Sequence, residues 1–135
     1  MRTARICVIA LVFACATAMA ETPEQIFKQV SPSVVVIHVS DAAGKPLALG
    51  SGVVIHPSTV ITNCHVAQAG AGLLVNYRGK SFVATLRYAD RDRDLCELSV
   101  PDLPAPPVAL ANTGSLQVGQ SVYAIGAPEG LELTL

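Results

Sequence analysis

Apolar residues in this chain come in short runs broken by glycine, proline and charged turns, a punctuation that predicts strands. Val34 to Val39 is β-branched except for His38, and Asp41 to Lys45 reads as a turn. Leu47 to Ile55 resumes the apolar pattern around Gly50 and Gly52, followed by Val60-Ile61-Thr62, Leu73 to Tyr77, Ser81 to Tyr88 after a tight Arg78-Gly79 turn, and Leu95 to Val100. Repeated short strands with turn signals between them predict an all-β barrel or sandwich. One helix is expected before them. Thr22 and Gln25 form a Thr-x-x-Gln capping box, Pro23 suits the first helical position, and Ile26, Phe27 and Val30 make an apolar stripe ended by Ser31-Pro32.

The pattern changes at Pro101 to Pro107, where four prolines in seven residues exclude a sheet interior and predict a linker. Beyond it, Val108 to Ala111, Ser121 to Ile125 and Leu131 to Leu135 are expected as strands, with turns at Asn112 to Gly114 and Gly126 to Gly130. A natural domain rarely ends inside an apolar strand, so the chain is expected to be the front part of something longer.

Residues 1–20 read differently. Arg2 and Arg5 precede an uncharged run, Ile6 to Ala20, that closes on Ala18-Met19-Ala20, the signature of a secretory signal peptide cut before Glu21. The run is shorter than the ~20 apolar residues of a bilayer span, so no stable membrane insertion is expected after cleavage. The formal net charge of −1 becomes more negative once both arginines are removed, which leaves no basic footprint for nucleic acid. Of the four cysteines, Cys7 and Cys15 leave with the leader, and Cys64 and Cys96 remain in what would be an oxidising space, periplasmic or extracellular.

Candidate chemistry centres on His65 and Asp94. His65 follows a short apolar strand; Asp94 opens a strand in which Asp94, Cys96, Leu98 and Val100 share one face. That face is expected to be buried, which would push Asp94 inward and demand a partner for its charge. Imidazole is a natural one, since a carboxylate at one ring nitrogen fixes the tautomer that leaves the other free to take a proton. Asp90 and Asp92 compete for the role but sit in a charged turn, Asp90-Arg91-Asp92-Arg93, that reads as solvated. His38, within a β run, and His56, beside Pro57, read as structural.

Four ordered segments carry a resemblance. Gly50-Ser51-Gly52-Val53-Val54-Ile55, Thr62-Asn63-Cys64-His65-Val66, Asp94-Leu95-Cys96-Glu97-Leu98 and the run Val118 to Pro128 together resemble trypsin-like serine endopeptidases, above all the bacterial periplasmic HtrA (Deg) branch. The resemblance implies two six-stranded Greek-key barrels with the site between them. The first barrel and its helix would occupy residues 21–100, and a truncated start of the second 108–135. It also implies that His65 is the general base and Asp94 its orienting partner, with polypeptide substrates, no cofactor, no metal, and a homo-oligomer in the full-length parent. The family's nucleophile lies in a Gly-Asn/Asp-Ser-Gly-Gly segment, and none occurs in the 135 residues. Ser51 belongs by the same resemblance to a first-barrel strand and is not the nucleophile. The chain alone is therefore expected to be inert, and the rival reading is an exported pseudoprotease or binding module that uses the barrel as an interaction surface.

If His65 and Asp94 meet, Cys64 and Cys96 come close too. They can bridge provided their Cα atoms fall within about 7 Å. A zinc site built from Cys64, His65 and Cys96 fits no known spacing, because adjacent residues struggle to aim two ligands at one ion.

Overall fold

The computed structural model describes residues 21–126. The expected leader at 1–20 and the expected strand at 131–135 lie outside them. Helix α1 runs from Pro23 to Val30 with the expected capping box: the Thr22 hydroxyl accepts from the Gln25 amide, and Gln25 Oε1 accepts from the Thr22 amide at 2.9 Å. A 3-10 turn over Ser31–Ser33 leads into seven strands, β1 (Val34–Ser40), β2 (Pro46–His56), β3 (Thr59–Thr62), β4 (Gly72–Tyr77), β5 (Lys80–Val83), β6 (Thr85–Asp90) and β7 (Leu95–Ser99). Helix α2, Cys64–Ala67, follows β3.

All seven strands form one antiparallel sheet in the order β5-β4-β1-β2-β3-β7-β6. The segment expected as one strand, Ser81 to Tyr88, divides at Ala84 into β5 and β6, which lie at opposite ends of that order. One residue can connect the two end strands only if the sheet curls until its edges meet, so the division marks barrel closure. The Ala84 amide donates to the Leu73 carbonyl at 3.0 Å and pins the corner. The barrel is thus built from the anticipated segments, with seven strands where six were expected.

Alternation decides what lies inside. Along β1, Val35, Ile37 and Val39 are buried while His38 is exposed. Val54, Val60, Val75, Leu98 and Val100 meet them from the neighbouring elements. Full burial of each such side chain stabilises the fold by about 1.5–3 kcal/mol. The hairpin between β4 and β5 turns through Arg78 and Gly79, both at positive φ (49° and 76°), the conformation that suits a two-residue connection to twisted strands.

The glycines of β2 serve close approach. A Cβ on Gly50 would fall 2.5 Å from Val66 Cγ1, and one on Gly52 would fall 2.6 Å from Val60 Cγ1. Helix α2 therefore packs directly on the β2 backbone at Gly50, with Val66 as the contact. This seats the helix that carries His65.

The linker is pinned rather than loose. Leu103 and Ala105 are buried, and the Val108 amide donates to the Val54 carbonyl at 2.8 Å. The strands expected at Val108 to Ala111 and Ser121 to Ile125 do not form among the described residues. That stretch is irregular apart from a 3-10 turn at Thr113–Ser115 and a single bridge at Gly126. An apolar run becomes a strand only when another backbone supplies a ladder of hydrogen bonds, and among the described residues this stretch has the single Val108–Val54 bond and the bridge at Gly126.

Candidate functional site

Three short pieces build the site: the end of β3, the first turn of α2 and the turn before β7. Thr62 ends β3 buried, its hydroxyl donating to the Ser51 carbonyl at 2.8 Å. Asn63 stands at the N-cap of α2 with extended backbone, so Cys64 and His65 occupy the first two helical positions. Buried Cys64, Val66 and Ala67 face the barrel, and His65 projects outward with its side chain 70% exposed.

Asp94 departs from expectation. It lies in the turn before β7, with φ at +54°, and its side chain is 41% exposed. The left-handed backbone breaks the period-two alternation, so Asp94 does not share the inward face of Cys96, Leu98 and Val100. Hydrogen bonds, not burial, fix its carboxylate. Oδ1 accepts from the His65 amide at 2.9 Å, while Oδ2 lies 2.6 Å from His65 Nδ1 and accepts from Asn63 Nδ2 at 3.1 Å. The Asp94 carbonyl also accepts from the Cys64 amide at 3.3 Å and from Asn63 Nδ2 at 3.1 Å.

These donors stabilise the ionised form. The His65 amide acts most strongly, followed by the His65 ring, with Asn63 adding to them, and together they hold the Asp94 carboxyl below its ordinary value of 3.8. A carboxylate at Nδ1 requires the proton on that nitrogen, which leaves Nε2 as the basic atom of the ring.

The competition among the aspartates is settled by the turn. Asp90 Oδ1 accepts from the Arg93 amide at 3.1 Å and Oδ2 from Arg93 Nη1 at 2.6 Å, so that carboxylate is committed to the turn itself. Asp92 is exposed. His38 stands exposed on the outer face of β1, and His56 ends β2 with Nδ1 3.3 Å from the Pro57 carbonyl; neither approaches the His65–Asp94 pair.

Cys64 and Cys96 are joined as a disulfide, with Cα atoms 4.9 Å apart. The bond ties the first turn of α2 to β7 beside the residues that bring His65 and Asp94 together. Among the described residues no three His, Cys, Asp or Glu side chains converge as a metal ion would require.

Sequence reasoning missed two contributors. Asn63 was legible only as part of a motif, although asparagine before a helix signals an N-cap. Gly50 was legible as a strand glycine, but its contact with Val66 needed coordinates. A shallow, largely open groove of about 390 Å³ reaches the site along α1, with Ile26, Val30, Ile61, Asn63, Leu95 and Tyr123 among its lining.

Known proteins resemble this chain in sequence and in fold. Residues 50–135 match the trypsin-like peptidase domain. The serine protease Rv3671c of Mycobacterium tuberculosis is 38% identical over 103 residues, covering 76% of this chain and 26% of that protein. A probable periplasmic DegP-like serine endoprotease of Halomonas elongata is 37% identical over 87 residues, 63% of this chain and 18% of that protein. In structure, the serine endoprotease from Yersinia pestis superposes with a TM-score of 0.75 at 26% identity, over 86% of this chain and 43% of that one. The active form of the M. tuberculosis protease gives 0.65 at 31% identity, over 81% and 48%. The chain spans about a quarter of the length of the first of these curated relatives. With the barrel, the ordered segments and these likenesses together, the chain belongs to the trypsin-like peptidase domain family, alongside the HtrA-type serine proteases.

Proposed function

We propose that this chain carries the base and the orienting carboxylate of a serine endopeptidase, and that the protein it serves hydrolyses peptide bonds in polypeptide substrates. One observation carries the reading: His65 Nδ1 sits 2.6 Å from Asp94 Oδ2 on an exposed corner of a trypsin-like barrel. In this role Asp94 keeps the proton on Nδ1 and stabilises the imidazolium. Nε2 takes the proton from a serine hydroxyl as its oxygen attacks the substrate carbonyl, then returns it to the leaving amine.

The nucleophile must come from elsewhere, because these residues contain no Gly-Asn/Asp-Ser-Gly-Gly segment. A base without a hydroxyl to activate, and without amides to stabilise the oxyanion, forfeits most of the rate enhancement. The 135 residues alone are therefore proposed to be inactive. In this reading residues 21–100 are the first barrel, 101–107 the linker and 108–135 the start of a second barrel. Export through residues 1–20, to the periplasm or beyond, agrees with a disulfide at Cys64–Cys96, since such bonds persist in oxidising compartments. The DegP-like relative named periplasmic points the same way. No helix among the described residues is long and apolar enough to cross a membrane. Full-length assemblies are proposed to be homo-oligomeric.

The test is to continue the reading frame past Leu135, express the extended protein and assay it on casein. Cleavage that disappears with His65→Ala is the expected result. Cleavage that survives His65→Ala would remove the base assignment. A stop codon followed by unrelated sequence would favour the rival reading, an exported binding module built on the same barrel.

A further inference from the structure

Asparagine at a helix N-cap normally turns its side-chain oxygen back to accept an amide from its own first turn. Asn63 makes no such bond. The amide it would cap, that of His65, is taken instead by Asp94 Oδ1, from 29 residues away in the chain. Released from capping, the Asn63 side chain points its amide nitrogen at Asp94 and meets two acceptors there, Oδ2 and the backbone carbonyl, each at 3.1 Å.

We propose that Asn63 is a positioning residue for the His65–Asp94 pair, clamping the side chain and the main chain of Asp94 with the two N–H bonds of one primary amide. This rests on the assignment of His65 and Asp94 made above. The chemistry selects the residue type. A primary amide offers two donors on one nitrogen without adding charge. Aspartate at position 63 would offer none and would set a second carboxylate against the first; serine would offer one.

The clamp answers two weaknesses of the pair. Both bonds from His65 to the Asp94 carboxylate, one from its backbone amide and one from its ring, come from a single residue, so carboxylate and ring could shift together as one body; Asn63 supplies a further anchor. Asp94 also holds a left-handed backbone that non-glycine residues seldom adopt, and the Asn63 bond to its carbonyl joins that of the Cys64 amide in fixing the peptide that follows. A donor on Oδ2 makes that oxygen less basic as well. At a separation of 2.6 Å this keeps the shared proton on Nδ1, where the mechanism needs it. Among the described residues, the other charges of its turn are Asp90 and Arg93, paired with each other, and the exposed Arg91 and Asp92.

The test uses the chain as it stands, labelled with ¹³C and ¹⁵N, comparing wild type, Asn63→Ala, Asn63→Asp and Asp94→Asn by NMR. Asn63 is exposed, so its variants should fold, and unchanged circular dichroism will verify this. The Asp94 carboxyl titration should move upward in Asn63→Ala and further in Asn63→Asp. The low-field proton on His65 Nδ1 should exchange with water several-fold faster in both, and should be lost in Asp94→Asn. An Asp94 titration and a Nδ1 proton untouched by either Asn63 variant, with Asp94→Asn still abolishing the signal, would overturn the clamp and leave the catalytic pair standing. A Nδ1 proton indifferent to Asp94→Asn would overturn the pair, and the clamp with it.

Discussion

Valine and leucine are plentiful on both sides of the proline-rich segment, yet they meet opposite surroundings. Before it, Ile37, Val54, Val75 and Leu98 lose all their exposure to the barrel interior. After it, Leu110 keeps 72% of its surface and Val122 keeps 77%. Composition does not separate the two stretches. The inner strands of the sheet have a backbone on either side to take their hydrogen bonds, the end strands β5 and β6 have one, and apolar side chains from neighbouring strands pack together inside. Among the described residues, 108–125 pair with the barrel backbone only through the Val108 amide and form no strand ladder. Burial in a β protein is therefore a property of the partnership between strands, not of any one run. The corner that carries His65 and Asp94 lies between these extremes: both side chains are exposed, and hydrogen bonds and a disulfide hold them beside a helix seated on the barrel by Val66.

The contrast can be broken experimentally. Ile37→Ala should cost about 2–5 kcal/mol in urea unfolding, since it leaves a cavity among close-packed neighbours. Reducing the Cys64–Cys96 bond should cost about 2–4 kcal/mol, because it frees a loop with a sequence separation of 32 in the unfolded chain. Coincident urea midpoints with and without reductant would show that the corner needs no tie. Gly50→Ala should cost about 1–3 kcal/mol, as the added methyl meets Val66 and must push α2 off β2. Shifted amide signals in α2 would accompany that loss, and their absence would mean the strand yields instead.

Asp94 gives a smaller effect with a definite sign. Its carboxyl titrates below 3.8 in the folded chain. The stabilisation it provides is therefore complete above that value and is lost as pH falls through the folded one. The difference in melting temperature between wild type and Asp94→Asn should be present at neutral pH and vanish in strong acid. A difference that persists there would assign the effect to shape rather than charge. Smallest of all, Val122→Ala should change stability by no more than about 0.5 kcal/mol, as for an exposed residue away from any special contact. A loss comparable to that of Ile37→Ala would mean the tail is packed as tightly as the barrel.

Much of the site was readable from residue types and spacing. His65 after an apolar strand, with Asp94 ahead of another, suggested the pair, and the resemblance to trypsin-like endopeptidases supplied the roles expected of base and partner. Asp94 does lie against His65, but not through the burial expected of it, because a left-handed backbone at Asp94 is invisible to a period-two count. Asn63 stayed hidden for a related reason: its side chain follows the position of a turn some thirty residues later, and local capping rules point it the other way.

The amino-acid sequence by itself determined the strand-forming runs, the capped helix before them, the breaks between them and the chemistry available at residues 63–65 and 94. Those follow from alternation, side-chain branching and backbone freedom, all local properties of the chain. Only the tertiary structure decided that one run would divide at Ala84 to close the barrel, and that Gly50 would seat the helix bearing His65. It also decided which aspartate would meet the imidazole, and that the described apolar residues of 108–125 would form no strand of the sheet. Each of these depends on which backbone lies next to which, and hydrogen-bond partners far apart in sequence are chosen only when the chain folds.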